Sequence, residues 1–356
     1  MSTPEGRRPV VVGHRGASVR RPEHTRAAYE LAVAEGADGV DVDLVVTADG
    51  ELVVRHEAEL SDTTDVADRP ELAHLRTTRV VDGVSLTGWF SQDLTLTQVR
   101  TLRARERLPE LRPASAAHDG EQPVMTFAEV LALREELSAR AGREVAVWPE
   151  LKHPGHFAAA GLALEPRLLA TLGSFGLLDD GRDGDEPRSG SRAAAAAAVV
   201  VQCFEVAPLQ RLRAAAPRLR LAQLTQPTGA PPDLRLAGDH RDYADLCTPD
   251  GLRELRGWAD VLAPHLVQVE PRDVRGRSGA RRGSRLVDDA HAAGLAVVPY
   301  TVRPENTFLP AELRSGGPRG DLAARGDVAA LLRQLRDDGV DGLFTDDPAA
   351  ALAALG

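Results

Sequence analysis

Three apolar stretches of the chain carry ionisable side chains at spacings that could do chemistry. Val10–Val11–Val12 runs into Gly13–His14–Arg15–Gly16, Gly39–Val46 carries Asp41 and Asp43, and Val147–Leu151 carries Glu150 and leads to Lys152. A histidine and an arginine at the end of a buried strand are placed to meet an anion, and flanking glycines let the backbone turn and approach a ligand closely. In isolation such a turn serves equally well as loop support. Asp41 and Asp43 sit two apart, so within a strand they point to one side. Two carboxylates facing one way in an apolar strand repel each other and are costly to bury unpaired. A hard divalent cation, Mg2+ or Ca2+, is the simplest compensation; an arginine on one and water on the other is the alternative.

Glu150 and Lys152 share a face by the same period, and Glu150 supplies a third carboxylate. Lys152 is the only lysine among 43 lysines and arginines. A compact ammonium on a flexible stem delivers a point charge where a planar guanidinium does not fit, as at a phosphate oxygen beside a metal; a plain Glu–Lys surface pair is the competing reading. His56 follows Leu52–Val53–Val54. Histidine exchanges protons near neutral pH, so His14 and His56 together suit a base for an attacking oxygen and an acid for a departing one.

These residues need a scaffold. Strand-like runs are expected at Pro9–Val12, Gly39–Val46, Val145–Leu151, Val199–Phe204, Arg220–Thr225, Val261–Pro264, Ala296–Val302 and Gly342–Thr345. Between most of them lie helical patterns: Thr25–Glu35, Thr126–Ala141, Phe157–Phe175, Val206–Ala215, Pro249–Gly257, Ser284–Ala293 and Asp327–Asp338, with Pro348–Leu355 as a last short helix. Thr126 followed by Glu129 reads as a capping box, and Gly294 and Gly339 as helix-ending glycines. Continuous rather than alternating apolar strands imply a sheet covered on both faces. Eight strand–helix alternations point to an α/β fold, a (β/α)8 TIM barrel, with an open doubly wound sheet as the alternative. The whole chain, 1–356, reads as one domain. A segment of about 57–122, with its own apolar residues, reads as an insertion subdomain after the second strand that caps the barrel mouth. Loops are expected at 179–198, 226–239, 271–283 and 303–326.

Composition bounds the partners. The hydrophobic fraction is 43% and the net charge is −10, with basic residues scattered. Phosphate-backbone tracking needs a basic stripe, so nucleic acid is excluded as a partner, while a small anionic substrate is not. Cys203 and Cys247 form no CxxC pattern; one disulfide is open to them, but a zinc site is not. No signal-peptide or membrane-spanning stretch is visible, so a cytoplasmic location without a membrane anchor is expected. Oligomeric state is not readable.

In order along the chain, Gly13–His14–Arg15–Gly16–Ala17, Pro22–Glu23–His24–Thr25, Asp41–Val42–Asp43, Val53–Val54–Arg55–His56, Glu150–Leu151–Lys152, Gln202–Cys203–Phe204, Pro299–Tyr300–Thr301–Val302–Arg303 and Asp341–Gly342–Leu343–Phe344–Thr345–Asp346 resemble the glycerophosphodiester phosphodiesterases, specifically the bacterial type acting on soluble glycerophosphodiesters. The resemblance implies one bound Ca2+ or Mg2+ on Asp41, Asp43 and Glu150, His14 and His56 as general acid and base, and phosphate contacts from Arg15 and Lys152. It sets Glu23, Gln202 and Tyr300 in support of these. The implied reaction is hydrolysis of a small glycerophosphodiester to glycerol 3-phosphate and an alcohol. Water and the substrate's own 2-hydroxyl are both open as nucleophile. Two departures stand out: Asp41 where the family usually has Glu, and Glu57 where it usually has Asp. The rival readings are a catalytically weak protein that binds metal and phosphodiester on the same fold, and a barrel phosphodiesterase acting on a lipid headgroup.

Overall fold

The computed structural model describes residues 8–178, 198–270, 285–316 and 321–356. The loops expected at 179–198 and 271–283 therefore lie almost wholly outside the described residues. Eight parallel strands form the barrel: β1 (Val10–Gly13), β2 (Gly39–Val46), β6 (Ala146–Leu151), β7 (Val200–Cys203), β8 (Arg220–Thr225), β9 (Val261–Pro264), β10 (Ala296–Val297) and β11 (Gly342–Thr345). Their order around the sheet is β10-β9-β8-β7-β6-β2-β1-β11. Backbone bonds from Asp341 to Val297 (2.9 Å) and from Phe344 to Pro299 (3.0 Å) bring the last strand against the run that contains β10. The chain is thus a nearly closed TIM barrel with helices between the strands.

Two apolar layers account for the continuous apolar strands. Inside the barrel, Val10, Val12, Trp148, Val200, Leu224, Val261 and Phe344 pack together. Trp148 meets Phe344 edge to face at 5.2 Å within this layer. The alternate strand residues, such as Val11, Val40, Val147 and Val201, face outward onto the helices. Period two thus sends one set of side chains into the barrel and the other beneath the helix layer.

Element boundaries follow local chemistry. The helix Phe127–Ala141 begins at Thr126, whose hydroxyl accepts from the Glu129 N–H while Glu129 bonds back, and ends at Gly142 in the left-handed region. The pattern at 157–175 is two helices rather than one, Pro154–Ala159 and Leu164–Ser174, parted by Gly161 at φ +76°. The run Ala296–Val302 yields only a two-residue strand. Pro299 has no N–H to donate, although Val298 and Tyr300 still donate to Leu262 and Pro264.

Between β2 and the helix Phe127–Ala141 the chain forms β3 (Leu52–Val54), antiparallel to β2, and then the hairpin β4 (Thr77–Val81)–β5 (Val84–Gly88). Phe90, Leu94 and Leu102 of this segment are buried, whereas Val80 and Val84 on the hairpin are 61% and 58% exposed. No helix among the described residues is long and apolar enough to cross a membrane.

Candidate active site

The three strands carrying the sequence-predicted residues are neighbours in the barrel, in the order β6-β2-β1. Register sets Asp43 opposite Glu150, and Glu150 opposite Gln202 on β7. Their side chains therefore rise on the same face. A cavity of about 620 Å3 opens at this end, lined by His14, Arg15, Asp41, His56, Glu150, Lys152, Gln202 and Tyr300 among others. Asp43 and Glu23 sit just behind it.

The turn after β1 is held by unusual backbone. Gly16 has φ +95°, and a Cβ there would lie 2.6 Å from the Ala28 carbonyl carbon, so the helix Arg26–Ala34 packs directly on it. Arg15 and His24 both adopt positive φ, 58° and 57°, and the His24 N–H donates to the Arg15 carbonyl at 3.0 Å. Non-glycine residues pay for this conformation, and such strain gathers at sites where surrounding contacts enforce it. Here it aims the Arg15 guanidinium at Glu23 (2.9 Å) and Asp43 (3.2 Å).

His14 and His56 are each backed by a carboxylate. His14 Nδ1 lies 2.5 Å from Asp346 Oδ1, with Nε2 turned towards Asp41 at 4.0 Å. His56 Nδ1 lies 2.5 Å from Glu57 Oε1. A carboxylate on Nδ1 fixes the proton there and leaves Nε2 as the free acceptor. Burial and the neighbouring Arg15 push the His14 imidazole down to about 4. Burial, Arg15 and Lys152 push His56 down to about 3.

Both backing carboxylates are gripped by arginines from the segment between β3 and the helix Phe127–Ala141. Arg107 donates to both oxygens of Glu57 (2.7 and 2.6 Å) and of Glu23 (2.9 and 2.8 Å). Arg112 joins Asp346 (2.5 Å) to Glu305 (2.7 Å). Against burial, which would raise it, Arg112 and Arg303 hold Asp346 well below the usual carboxylate range.

The metal question turns on the three carboxylates. Among the described residues, no three His, Cys, Asp or Glu side chains are drawn together as a preformed ligand group. Asp43 is engaged by His24 Nε2 (2.8 Å) and Arg15, and Glu150 by Lys152 Nζ (2.7 Å). Asp41 instead accepts from neutral donors, Gln202 Nε2 (2.5 Å) and the Arg15 N–H (3.3 Å). Burial, then Asp43 and Glu150, raise the Asp41 carboxyl well above its usual range. Burial, with Asp43 beside it, raises Glu150 to about 7 against the pull of Lys152. Asp41, buried beside Asp43 and Glu150 with only neutral hydrogen-bond donors, suits a hard divalent ion, while, against burial, Lys152, His56, His24 and Arg15 hold Asp43 well below the usual carboxylate range.

Gln202 therefore contacts Asp41 directly, and Glu23 anchors both Arg15 and Arg107. Tyr300 lines the cavity but spends its hydroxyl on the Thr225 carbonyl at 2.9 Å. Asp346, His24, Arg107 and Arg112 were not among the predicted site residues. Cys203 and Cys247 are both free thiols.

Comparison with known proteins adds an independent line. Residues 14–350 match the model of the glycerophosphoryl diester phosphodiesterase family. An Arabidopsis thaliana glycerophosphodiester phosphodiesterase is 30% identical over 348 residues, covering 95% of this chain and 84% of that protein. A Bacillus subtilis glycerophosphodiester phosphodiesterase is 26% identical, again over 95% of this chain and 84% of its own length. Among solved structures, one from Silicibacter pomeroyi superposes with a TM-score of 0.64 at 23% identity, covering 98% of this chain and 94% of its own. An Oleispira antarctica phosphodiesterase, solved with the product sn-glycerol-3-phosphate, gives 0.54 at 20% identity, over 98% and 96% of the two chains. At these identities the two structures speak for the barrel alone.

Proposed function

The chain belongs to the glycerophosphoryl diester phosphodiesterase family, and from that premise we propose that its cavity hydrolyses a small glycerophosphodiester to glycerol 3-phosphate and an alcohol, with His14 and His56 as the acid–base pair. The observation that carries this reading is the pair of histidine–carboxylate couples, His14–Asp346 and His56–Glu57, opening on one cavity that also holds Arg15 and Lys152.

Arg15 and Lys152 would take the phosphoryl oxygens, with Lys152 as the mobile point charge. One imidazole, neutral at neutral pH with Nε2 free, accepts the proton of the attacking hydroxyl. The other delivers a proton to the departing alkoxide. Each positioned group of this kind contributes about 10^2- to 10^4-fold. Asp41, Asp43 and Glu150 would hold one divalent cation, Ca2+ or Mg2+, which when bound supplies Lewis-acid polarisation of the phosphate. Asp41 and Asp43 are each one methylene shorter than Glu150, and Gln202 orients Asp41.

The proposal treats the chain as one domain, in which the 57–122 segment shares in the site. Support comes from Arg107 and Arg112, which secure the carboxylates behind both histidines. The substrate would be drawn from the aqueous phase of the cytoplasm.

Phosphorus NMR of the purified protein with Ca2+ or Mg2+ and glycerophosphodiesters tests the reading. Glycerol 3-phosphate should accumulate, and His14→Ala and His56→Ala should each abolish turnover in a folded protein. A transient cyclic phosphate would identify the substrate 2-hydroxyl as nucleophile. Metal-bound protein that turns over no glycerophosphodiester would favour the binding-only alternative.

A further inference from the structure

Part of the cavity lining is left unused by the chemistry above: Phe204, Glu205, Tyr243 and Asp82. The Phe204 ring meets Tyr243 at 6.2 Å and Tyr300 at 5.9 Å, both edge to face. Lys152 Nζ stands 5.7 Å from the Phe204 centroid, so this ring already faces a cation on the phosphate side. Aromatic faces next to carboxylates are the usual means of holding an ammonium group.

Glu205 distinguishes this part. It is only 3% exposed, yet it accepts from a backbone donor, Gly155 N–H at 3.1 Å, and no cationic side chain among the described residues pairs with it. That is unusual in an arginine-rich chain whose buried Glu23, Asp260, Glu305 and Asp346 each have an arginine partner. The place is kept open for it, since a Cβ on Gly155 would lie 2.9 Å from Glu205 Oε2. Asp82 and Asp233 stand near enough to add to the negative field. Asp82 arrives from the β4–β5 turn and is bonded to His153 at 2.6 Å.

Resting on the hydrolase reading, we propose that Glu205 and the rings of Phe204 and Tyr243 form a subsite for the cationic nitrogen of an amino-alcohol leaving group. Diesters of ethanolamine or choline would then be preferred to those of neutral alcohols. The carboxylate pairs with the nitrogen, the rings cover its apolar flanks, and Lys152 beside Phe204 marks the step to the phosphate.

Two measurements test this on the full chain. The first is the ratio of kcat/KM for glycerophosphocholine to that for glycerophosphoglycerol. Glu205→Gln should lower the ratio about tenfold or more, as expected for losing a desolvated charge partner. Glu205→Asp, which keeps the charge, should recover part of it. The second is binding of choline alone, followed by its methyl NMR signal, which should weaken in Glu205→Gln and in Phe204→Leu. An unchanged ratio, or choline binding indifferent to Glu205, overturns the subsite. Glu205-dependent choline binding without hydrolysis of either diester would instead refute the hydrolase reading and leave the subsite standing.

Discussion

At the scale of single residues, the site is built on two imidazoles that each give Nδ1 to a carboxylate, from Asp346 on one side and Glu57 on the other. The consequence is directional: the proton stays on Nδ1 and Nε2 is left as the free acceptor. Asp346→Asn keeps the size of the side chain while removing the charge that fixes this tautomer. Its kcat should fall about 10^2- to 10^4-fold with KM much less affected, and the melting temperature should fall as well because Arg112 and Arg303 lose a buried charge partner; a kcat within a few-fold of the parent would remove Asp346 from the mechanism. Asp346 was legible in principle, as an acid one residue past the last barrel strand, where barrel enzymes keep their sites. It was missed because sequence alone does not show which staves flank His14. The Asp41/Asp43 and Glu150/Lys152 pairs were legible because period two is a local rule. Their partners are not local. Nothing in the chain near Asp43 announces His24 Nε2 at 2.8 Å.

At the scale of elements, the segment between β3 and the helix Phe127–Ala141 reaches into the site through two side chains. Arg107 joins Glu23 to Glu57, and Arg112 joins Glu305 to Asp346. Neither carries a sequence signal, since both lie in irregular chain without periodicity. Arg107→Met leaves the buried Glu23 with Arg15 alone and frees Glu57 to swing from His56. Truncating one partner of a buried pair is costly, and partial exposure of Arg107 reduces the effect, so about 1–3 kcal/mol of stability should be lost in urea titration. The kcat/KM should fall about tenfold or more, given that both His56 and Arg15 lose support; unaltered activity would confine this segment to a structural role. The helix Leu286–Ala292 offers a second test. His291 Nε2 bonds Asp341 Oδ2 at 2.8 Å, and this bond raises its proton affinity above the ordinary 6.5 despite partial burial. A raised folded value means that the protonated form is stabilised. The contribution is therefore complete below pH 6.5 and fades as pH rises through the folded value. His291→Gln should lower the melting temperature most in acid and least in alkali; an equal loss at every pH would refute the linkage.

At the scale of the whole molecule, the barrel converts a linear order into a ring of neighbours. The alternation of apolar strands and helices made the TIM barrel readable, because strands buried on both faces need no polar side. Less readable were the places where backbone chemistry overrides pattern, at Gly161, which divides one helical stretch, and at Pro264 and Pro299, which each lack an N–H beside the short β10. Closure brings His14, just after the first strand, to Asp346, just after the last, and the β2–β6 register sets Asp43 opposite Glu150. Asp41, Asp43 and Glu150 are thereby buried on neighbouring strands, and a divalent ion held by them is the central proposal. Release of glycerol 3-phosphate by chelator-stripped protein, before and after Ca2+ or Mg2+ is restored, tests this arrangement most directly. Release should be negligible from the stripped protein, recover on adding back either or both ions, and fail to recover in Glu150→Gln. Full release without any divalent ion, or recovery undiminished in Glu150→Gln, would contradict it.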